Sequence, residues 1–351
     1  MKYRVIYCLL FIFFLSCKKD SIIFNPETTK IAFGSCGSQN HNLPIFNVVV
    51  DHNPDLFIFL GDNIYGDTKD MEVLKHKYGQ LSSKSSFQNL KSNIPIMATW
   101  DDHDYGANDA GKYYSKKQES KEIFLDFFEE PYNSERRNRE GIYYSQIYNI
   151  DQKKLQIILL DNRTFRSNLK PYSGEVDNDD RYFYNLDYGI QENPDSTLLG
   201  AIQWQWLEEQ LSIPADLRLI CSSIQFGIEY NGYESWANLP HEKQKLLDLV
   251  KSTNANGVIF LSGDVHYSEI SKINQENLYP IYDFTSSGLS STWSFYTPNI
   301  NRIKGPIMEN HFGLLTIFWK EENPRIVMEN WDVSNTLRFS KTVFLEDISF
   351  K

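Results

Sequence analysis

Residues 61–67 combine a predicted strand end with side chains that bind metals. The apolar run Leu56–Leu60 leads into this stretch and has the length of one buried strand of a parallel sheet. Asp62, Asn63 and Tyr65 follow within a few residues. Ligand sites of open α/β sheets lie beyond the carboxyl ends of the strands. A carboxylate at that position can direct its two oxygens at one metal ion or at a pair of ions.

Three further predicted strands, at residues 30–35, 94–100 and 257–261, end in the same manner. They lead into residue types that bind metals or transfer protons: Cys36, Asp102 with His103, and Asp264 with His266. A fifth predicted strand, residues 217–224, ends at Gln225. Because the carboxyl ends of parallel strands meet at one edge of a sheet, we predict that these side chains converge on a single site.

These residue types suit the hydrolysis of phosphate esters by a pair of cations. Two cations about 3.5–4 Å apart neutralise an anionic phosphate, lower the pKa of a bound water and hold the attacking and leaving oxygens. Asp62 is the candidate for the carboxylate that both ions share. A thiolate and a phenolate on one ion favour a trivalent metal, since each group must lose a proton. Carboxylate and amide oxygens suit a hard divalent ion such as calcium.

Three motifs therefore occur together with Cys36: Gly61-Asp62-x-x-Tyr65, Asp101-Asp102-His103-Asp104 and Gly263-Asp264-x-His266. With the supporting stretches 160–163, 203–207 and 285–289, this combination resembles the alkaline phosphatase D (PhoD-like) family of the metallophosphoesterase superfamily. The resemblance covers residues 30–332. It implies an α/β fold, a four-layer α/β/β/α sandwich with two packed mixed sheets.

The resemblance also implies the cofactors and the residue roles. Fe³⁺ is expected on Cys36, Asp62, Tyr65 and His266, and Ca²⁺ on Asp62, Asp102, Gln225 and Asp264, with other divalent metals as alternatives. His103 is expected to protonate the leaving oxygen, with Asp104 orienting the histidine. From their residue types, Arg163 and Asn63 are expected to bind a phosphate oxygen. Structural alternatives stay open for several of these residues: a core aromatic for Tyr65, a structural amide for Gln225, and an ion pair with a core carboxylate for Arg163.

The N-terminus predicts export. Lys2 and Arg4 precede the short apolar run 5–15, and Ser16-Cys17 follows; this pattern is typical of a lipoprotein signal peptide over residues 1–17. Residues 18–29 are the predicted tether, and residues 30–351 are the predicted catalytic domain. We expect a protein anchored to a membrane through lipidated Cys17, in the periplasm or at the cell surface. An ordinary cleaved signal that happens to contain this cysteine is the alternative.

Net charge limits the kinds of ligand that the protein can bind. The net charge of −11 argues against a nucleic-acid backbone as the main ligand, and we expect a monomer that acts on a phosphate ester. Residues 164–197 are predicted to form a long loop and residues 278–350 a second sheet. Two alternatives to a phosphomonoesterase or phosphodiesterase remain: a phospholipase-D-like diesterase acting on lipids or cell-envelope polymers, and a lipoprotein that binds without catalysis.

Overall fold

The computed structural model describes residues 22–174 and 186–351. The predicted signal peptide, Cys17, the first part of the tether and the acidic run 177–180 lie outside these residues. Within the described ranges, no helix has the length and apolarity needed to cross a bilayer. Packed structure is present before the predicted boundary at residue 30, because Phe24 is buried against Tyr148 and the first strand starts at Thr28.

The strands of the described residues form two large sheets, and the two short strands at 170–171 and 188–189 pair only with each other. In chain order the strands are β1 (Thr28–Gly34), β2 (Leu56–Leu60), β3 (Ile96–Thr99), β4 (Tyr144–Ile150), β5 (Lys153–Leu159), β6 (Lys170–Pro171), β7 (Tyr188–Gly189), β8 (Leu217–Ser222), β9 (Val258–Ser262), β10 (Ser268–Ile273), β11 (Ile281–Ser286), β12 (Arg302–Ile307), β13 (His311–Phe318), β14 (Arg325–Asp332) and β15 (Leu337–Phe344).

Helices lie between the strands. They are α1 (Ile45–Asp51), α2 (Met71–Ser82), α3 (Ser85–Asn93), α4 (Asp102–Tyr105), α5 (Lys117–Phe127), α6 (Glu135–Asn138), α7 (Gly200–Leu211) and α8 (Pro240–Ser252), with 3₁₀ helices at Trp236–Asn238 and Leu345–Ile348.

Two mixed sheets carry the fold. One has the strand order β15-β14-β13-β1-β2-β3, and the other has the order β12-β10-β11-β9-β8-β5-β4. The strands that lead into the predicted site run parallel to their neighbours: β1, β2 and β3 in the first sheet, and β5, β8, β9 and β11 in the second. All five residues of β2 are buried, as expected for a parallel strand covered on both faces.

Alternate side chains of β1 enter different hydrophobic clusters. Ile31 and Phe33 pack into the cluster that also holds side chains of the second sheet, whereas Ala32 faces the cluster formed with α1, α2, α3 and α5. Phe33 meets Phe284 of β11 edge to face, with ring centroids 4.9 Å apart, a contact of the kind that contributes roughly 0.5–1.5 kcal/mol. The result is the predicted α/β/β/α layering, with α7 and α8 on the outer face of the second sheet.

A backbone bridge joins the two sheets beside the predicted site. Ser35 follows β1 and forms a parallel bridge with Ser287, which follows β11. The N–H of Ser35 donates to the carbonyl of Ser286 at 3.1 Å. The carboxyl ends of parallel strands from both sheets therefore meet at this edge, which is where Cys36 lies.

One expectation about the fold was wrong, and some elements were missed. Residues 278–350 do not form a sheet of their own: β11 and β12 complete the second sheet, and β13 to β15 extend the first one through antiparallel pairing of β13 with β1. Alternation of polar and apolar residues identifies a strand but does not tell which sheet edge it joins. The helix α3 and the strand β10 were not predicted, because their short amphipathic patterns lie beside stronger ones.

Candidate metal centre

Four predicted ligands have backbone conformations that L-amino acids rarely adopt. The φ angles of Cys36, Asp62, Asp264 and His266 are 59°, 48°, 74° and 58°. Such left-handed residues cost of order 1–3 kcal/mol each in strained cases, and they cluster at functional sites. Cys36, Asp62 and Asp264 lie shortly after the ends of β1, β2 and β9, and His266 lies in the short connection between β9 and β10, so tight turns at these strand ends set the side-chain directions.

Gly61 allows the ends of β2 and β3 to approach each other. Its φ is 108°, and a Cβ at this position would lie 2.5 Å from the Cβ of Asp101. Only glycine tolerates both the dihedral angle and the contact. The close approach brings Asp62 of one strand end next to Asp101 and Asp102 of the other.

The first ligand group contains a thiol, a carboxylate and an imidazole. Ligand atoms of Cys36, Asp62 and His266 all lie within 4.8 Å of one another. The Sγ of Cys36 is 3.4 Å from Oδ2 of Asp62. The hydroxyl of Tyr65 lies 3.3 Å from Nε2 of His266 and joins the same group. The structure therefore brings together all four side chains predicted to hold iron.

The second ligand group contains carboxylates. Oxygens of Asp62, Asp101, Asp102 and Asp264 all lie within 4.8 Å of one another. Asp62 belongs to both groups, as a carboxylate shared by two ions must. Asp101 was not among the predicted ligands, although it precedes one of them in sequence.

Buried carboxylate oxygens in this centre have no hydrogen-bond partner and could bind a cation. Oδ1 of Asp62 and Oδ1 of Asp102 are buried without a hydrogen-bond partner. Burial, and then the charges of Cys36 and Asp102, raise the pKa of Asp62 well above its ordinary value. Burial and the charge of Asp101 do the same for Asp264. Closely packed carboxylates repel one another, and these oxygens have no hydrogen-bond donor to pair with. Bound cations would remove the repulsion and pair with the free oxygens, so the ligand atoms here fit a pair of metal ions.

The remaining ligands point to the same conclusion. Burial raises the pKa of the Cys36 thiol to about 12 and that of the Tyr65 phenol far above its usual range. Neither group ionises at neutral pH without a strong local positive charge, which a bound metal ion would supply. Burial, and then the charge of His103, lower the pKa of His266 to about 4, so its ring is neutral and able to bind a metal.

His103 is oriented by Asp67 and not by Asp104. Nδ1 of His103 lies 2.7 Å from Oδ1 of Asp67. Burial works against a charged ring, yet the hydrogen bond to Asp67 and the nearby carboxylate of Asp102 raise the pKa of His103 above its ordinary value. Asp104 instead accepts hydrogen bonds from the hydroxyl of Tyr78 and the amide of Asn63. The role predicted for Asp104 is therefore corrected: it braces the turn beneath the site.

The backbone around Asp67 explains this arrangement. The N–H of Gly66 donates to the carbonyl of His103 at 3.0 Å, and a Cβ on Gly66 would lie 2.5 Å from that oxygen. Lys77 of α2 donates to the carbonyls of Tyr65 and Gly66. These contacts fix residues 65–67 against α4 and place the carboxylate of Asp67 beside the ring.

The side chains of Arg163 and Asn63 are paired with other groups of the protein. The guanidinium of Arg163 is fully buried and paired with Asp101 and Glu234. Arg163 therefore has the structural role that the sequence left open as an alternative, an ion pair with core carboxylates. The amide nitrogen of Asn63 donates to the carbonyl of Thr99 and to Asp104. Both residues position the site from behind, which corrects their predicted contact with substrate.

Gln225 remains a predicted ligand. Its amide nitrogen donates to Glu269 and Thr285 at 3.1 and 3.0 Å, and its Oε1 is buried without a partner. Gln225 can have both predicted roles, because its amide nitrogen makes the structural hydrogen bonds and its Oε1 stays available to a metal ion.

Several supporting residues were missed by sequence reasoning. The hydroxyl of Ser287 lies 3.1 Å from Sγ of Cys36 and accepts the N–H of His266 at 2.9 Å. Nε2 of His311 accepts the N–H of Ser287, and its Nδ1 lies 2.7 Å from the carbonyl of Glu309. Ser287 lies in the stretch 285–289, which supports the family resemblance and could have pointed to this residue.

The predicted loop 164–197 contacts the site through a relay. The hydroxyl of Tyr188 donates to Oδ2 of Asp109 at 2.6 Å, and the N–H of Asp109 donates to Oδ2 of Asp102 at 2.7 Å. The described part of this loop thus helps to hold a predicted ligand.

Two packed mixed sheets, with thiol, carboxylate, phenol and imidazole groups converging at their strand ends, define a metallophosphoesterase-like protein. The family described as PhoD-like phosphatase matches residues 31–334. The chain belongs to the PhoD-like phosphatase family. It is 26% identical over 301 residues to alkaline phosphatase D of Bacillus subtilis (strain 168), covering 75% of this chain and 49% of that protein. The chain thus spans about half the length of this curated relative.

Solved structures show the same fold. A structure described as that of PhoD superposes with a TM-score of 0.69 at 18% identity, covering 91% of this chain and 72% of the other. A dimetal phosphatase from Danio rerio gives a TM-score of 0.53 at 13% identity, with 91% and 99% covered. GAP50, described as the anchor in the inner membrane complex of Plasmodium, gives 0.57 at 13% identity, with 91% and 89% covered.

Proposed function

We propose that this protein is an exported, metal-dependent phosphoesterase that hydrolyses phosphate esters. The observation that carries the proposal is the position of Asp62, whose carboxylate belongs both to the thiol–imidazole group and to the carboxylate group. Family membership supports the same conclusion. A binding lipoprotein without catalysis would have no need for the strained ligand turns and the oriented histidine.

The two ligand groups differ in chemistry, and we assign different metals to them. Cys36, Tyr65 and His266, with Asp62, suit Fe³⁺ because a thiolate and a phenolate need a strongly acidic ion. The oxygens of Asp102, Asp264 and Gln225, again with Asp62, suit Ca²⁺ or another hard divalent ion. Bound there, the ions supply the Lewis acidity that activates water and neutralises phosphate charge.

His103 is the proton donor of the chain. Its Nδ1 is committed to Asp67, which leaves Nε2 to give a proton to the oxygen of the departing alcohol. The proton moves from Nε2 to the leaving oxygen as the P–O bond breaks, and Asp67 stabilises the charged ring beforehand. General acid catalysis of this kind contributes about 10²–10⁴-fold in rate.

The pairing of Arg163 favours diesters over monoesters. A phosphate monoester carries more negative charge than a diester. The guanidinium of Arg163, which was predicted to bind the phosphate, already forms ion pairs with Asp101 and Glu234. The chain itself therefore offers less compensation for the second charge. We extend the proposal to an anchored protein that acts at the membrane or cell surface through lipidated Cys17, a position outside the described residues.

Hydrolysis assays test the proposal. Protein purified without chelator should release p-nitrophenol from bis(p-nitrophenyl) phosphate faster than from p-nitrophenyl phosphate, and a chelator should abolish both activities. Phosphatidylcholine serves as the third substrate, since its turnover would identify the phospholipase-D-like alternative. Absence of turnover on all three substrates by protein carrying its full metal content would refute the proposed function.

A further inference from the structure

The sulfur of Cys36 has few possible hydrogen-bond donors around it. Four oxygens of the described residues lie near Sγ: Oγ of Ser287 at 3.1 Å, Oδ2 of Asp62 at 3.4 Å, Oγ of Ser35 at 3.6 Å and the carbonyl of Asp264 at 3.7 Å. A carbonyl cannot donate a hydrogen bond, and neither can an ionised carboxylate. A thiolate bound to a metal has no proton to give, so a hydrogen bond to this sulfur must come from a serine hydroxyl.

The hydroxyl of Ser287 is the better placed of the two. Its oxygen accepts the backbone N–H of His266 at 2.9 Å, and its own hydrogen remains for the sulfur of Cys36. Ser287 is fully buried, so both contacts are made away from bulk water. One hydroxyl therefore contacts two predicted ligands of the same ion, one at its sulfur and the other at its backbone.

The backbone of Ser287 is itself held in place. Its N–H donates to Nε2 of His311 at 3.1 Å, and the ring of His311 is fixed in turn through Nδ1, which lies 2.7 Å from the carbonyl of Glu309. From this fixed position the hydroxyl can hold the left-handed turns at Cys36 and His266, whose φ angles are 59° and 58°.

We propose that Ser287 is a positioning residue for the metal ion held by Cys36 and His266: its hydroxyl donates to the thiolate and accepts from the backbone of the imidazole ligand. The inference rests on the proposed function, through the metal assignment made there. Hydrogen-bond partners of metal ligands orient them, and the loss of such a partner typically lowers metal affinity by about 10–100-fold. A hydrogen bond to a thiolate also draws charge from the sulfur and so changes its bond to iron.

Two measurements on Ser287→Ala test the inference. The variant loses only the hydroxyl, so in competition with a chelator its affinity for iron should be about 10–100-fold lower than that of the wild-type protein. Resonance Raman spectra of the iron-loaded protein report the bond to sulfur directly. The iron–sulfur stretching band of the wild-type protein should shift in D₂O, because the hydrogen of the serine hydroxyl exchanges. Ser287→Ala should lose most of this shift.

Ser286→Ala is the matched control. Ser286 is the preceding residue and is equally buried, but its hydroxyl has no hydrogen-bond partner among the residues that the structure describes. This variant should keep the wild-type affinity for iron and the shift in D₂O.

Three results would overturn the role of Ser287 and leave the proposed function standing. They are an unchanged iron affinity in Ser287→Ala, an equal loss of affinity in Ser286→Ala, and a wild-type iron–sulfur band that does not shift in D₂O, a measurement that needs no variant. Wild-type protein that takes up no iron would overturn the metal assignment together with this inference. The ester assays then decide the proposed function separately.

Discussion

Replacing Asp67 tests which carboxylate orients the catalytic histidine. Asp67→Asn removes the charge that faces Nδ1 of His103 and keeps the size of the side chain. A hydrogen bond to a charged group is worth about 1.5–3 kcal/mol. Because the side chain of Asp67 is 41% exposed and that of His103 only 16%, solvent screening reduces this to about 1–2 kcal/mol, or about 5–30-fold in kcat.

The matched comparison is Asp104→Asn. Asp104 is fully buried, accepts from Tyr78 and Asn63, and does not touch His103 through its carboxylate. Its loss should lower the free energy of unfolding by roughly 1–3 kcal/mol, because its buried partners lose an acceptor.

Steady-state kinetics on a p-nitrophenyl diester, together with urea unfolding, separates the two variants. Asp67→Asn should lower kcat with the midpoint of unfolding and the metal content near wild type. Asp104→Asn should shift the midpoint. If Asp67→Asn leaves kcat unchanged while folded Asp104→Asn loses it, the assignment of Asp67 is refuted and the sequence-based role of Asp104 is restored.

Three further predictions concern stability. His311 is buried with its pKa lowered from 6.5 to about 4, so it must stay neutral in the folded protein. Its contribution to the free energy of unfolding is therefore complete above pH 6.5 and falls by about 3 kcal/mol as the pH drops towards 4. In His311→Gln, the melting temperature should depend less on pH over this range. Gly61→Ala should lower the free energy of unfolding by about 2 kcal/mol or more in urea, since φ is positive and the Cβ meets Asp101. Arg163→Met should cost about 3–5 kcal/mol by leaving Asp101 buried without its cation and Glu234 with Arg166 alone, and a stable variant with only a raised KM would contradict the structural role.

The ligand types and strand ends could be predicted from the sequence because each depends on a local pattern. An apolar run such as Leu56–Leu60 identifies a buried strand, and the polar residue after it lies at the sheet edge wherever the strand is placed. Cys36, Asp62 and His266 lie far apart in the chain but follow such runs, so strand direction places each at a sheet edge; that the edges of the two sheets meet there is a tertiary feature that strand direction does not give.

Hydrogen-bond partners could not be predicted in the same way. Adjacency in sequence suggested that Asp104 orients His103, but the turn of α4 directs that carboxylate beneath the site. Arg163 also follows a strand, and its pairing depends on Glu234, which reaches it from a loop 71 residues away in the chain. Both errors have one cause: side-chain direction at a tight turn is set by tertiary contacts that a single sequence does not reveal.

Metal analysis of Asp62→Asn beside the wild-type protein is the most direct test of the shared carboxylate. Asp62 belongs to both ligand groups, so its replacement should reduce the content of iron and of the divalent ion together, while circular dichroism shows the fold retained. Wild-type protein should contain both metals in near-stoichiometric amounts. Loss of only one metal in the variant, or full retention of both, would contradict a centre built around this residue.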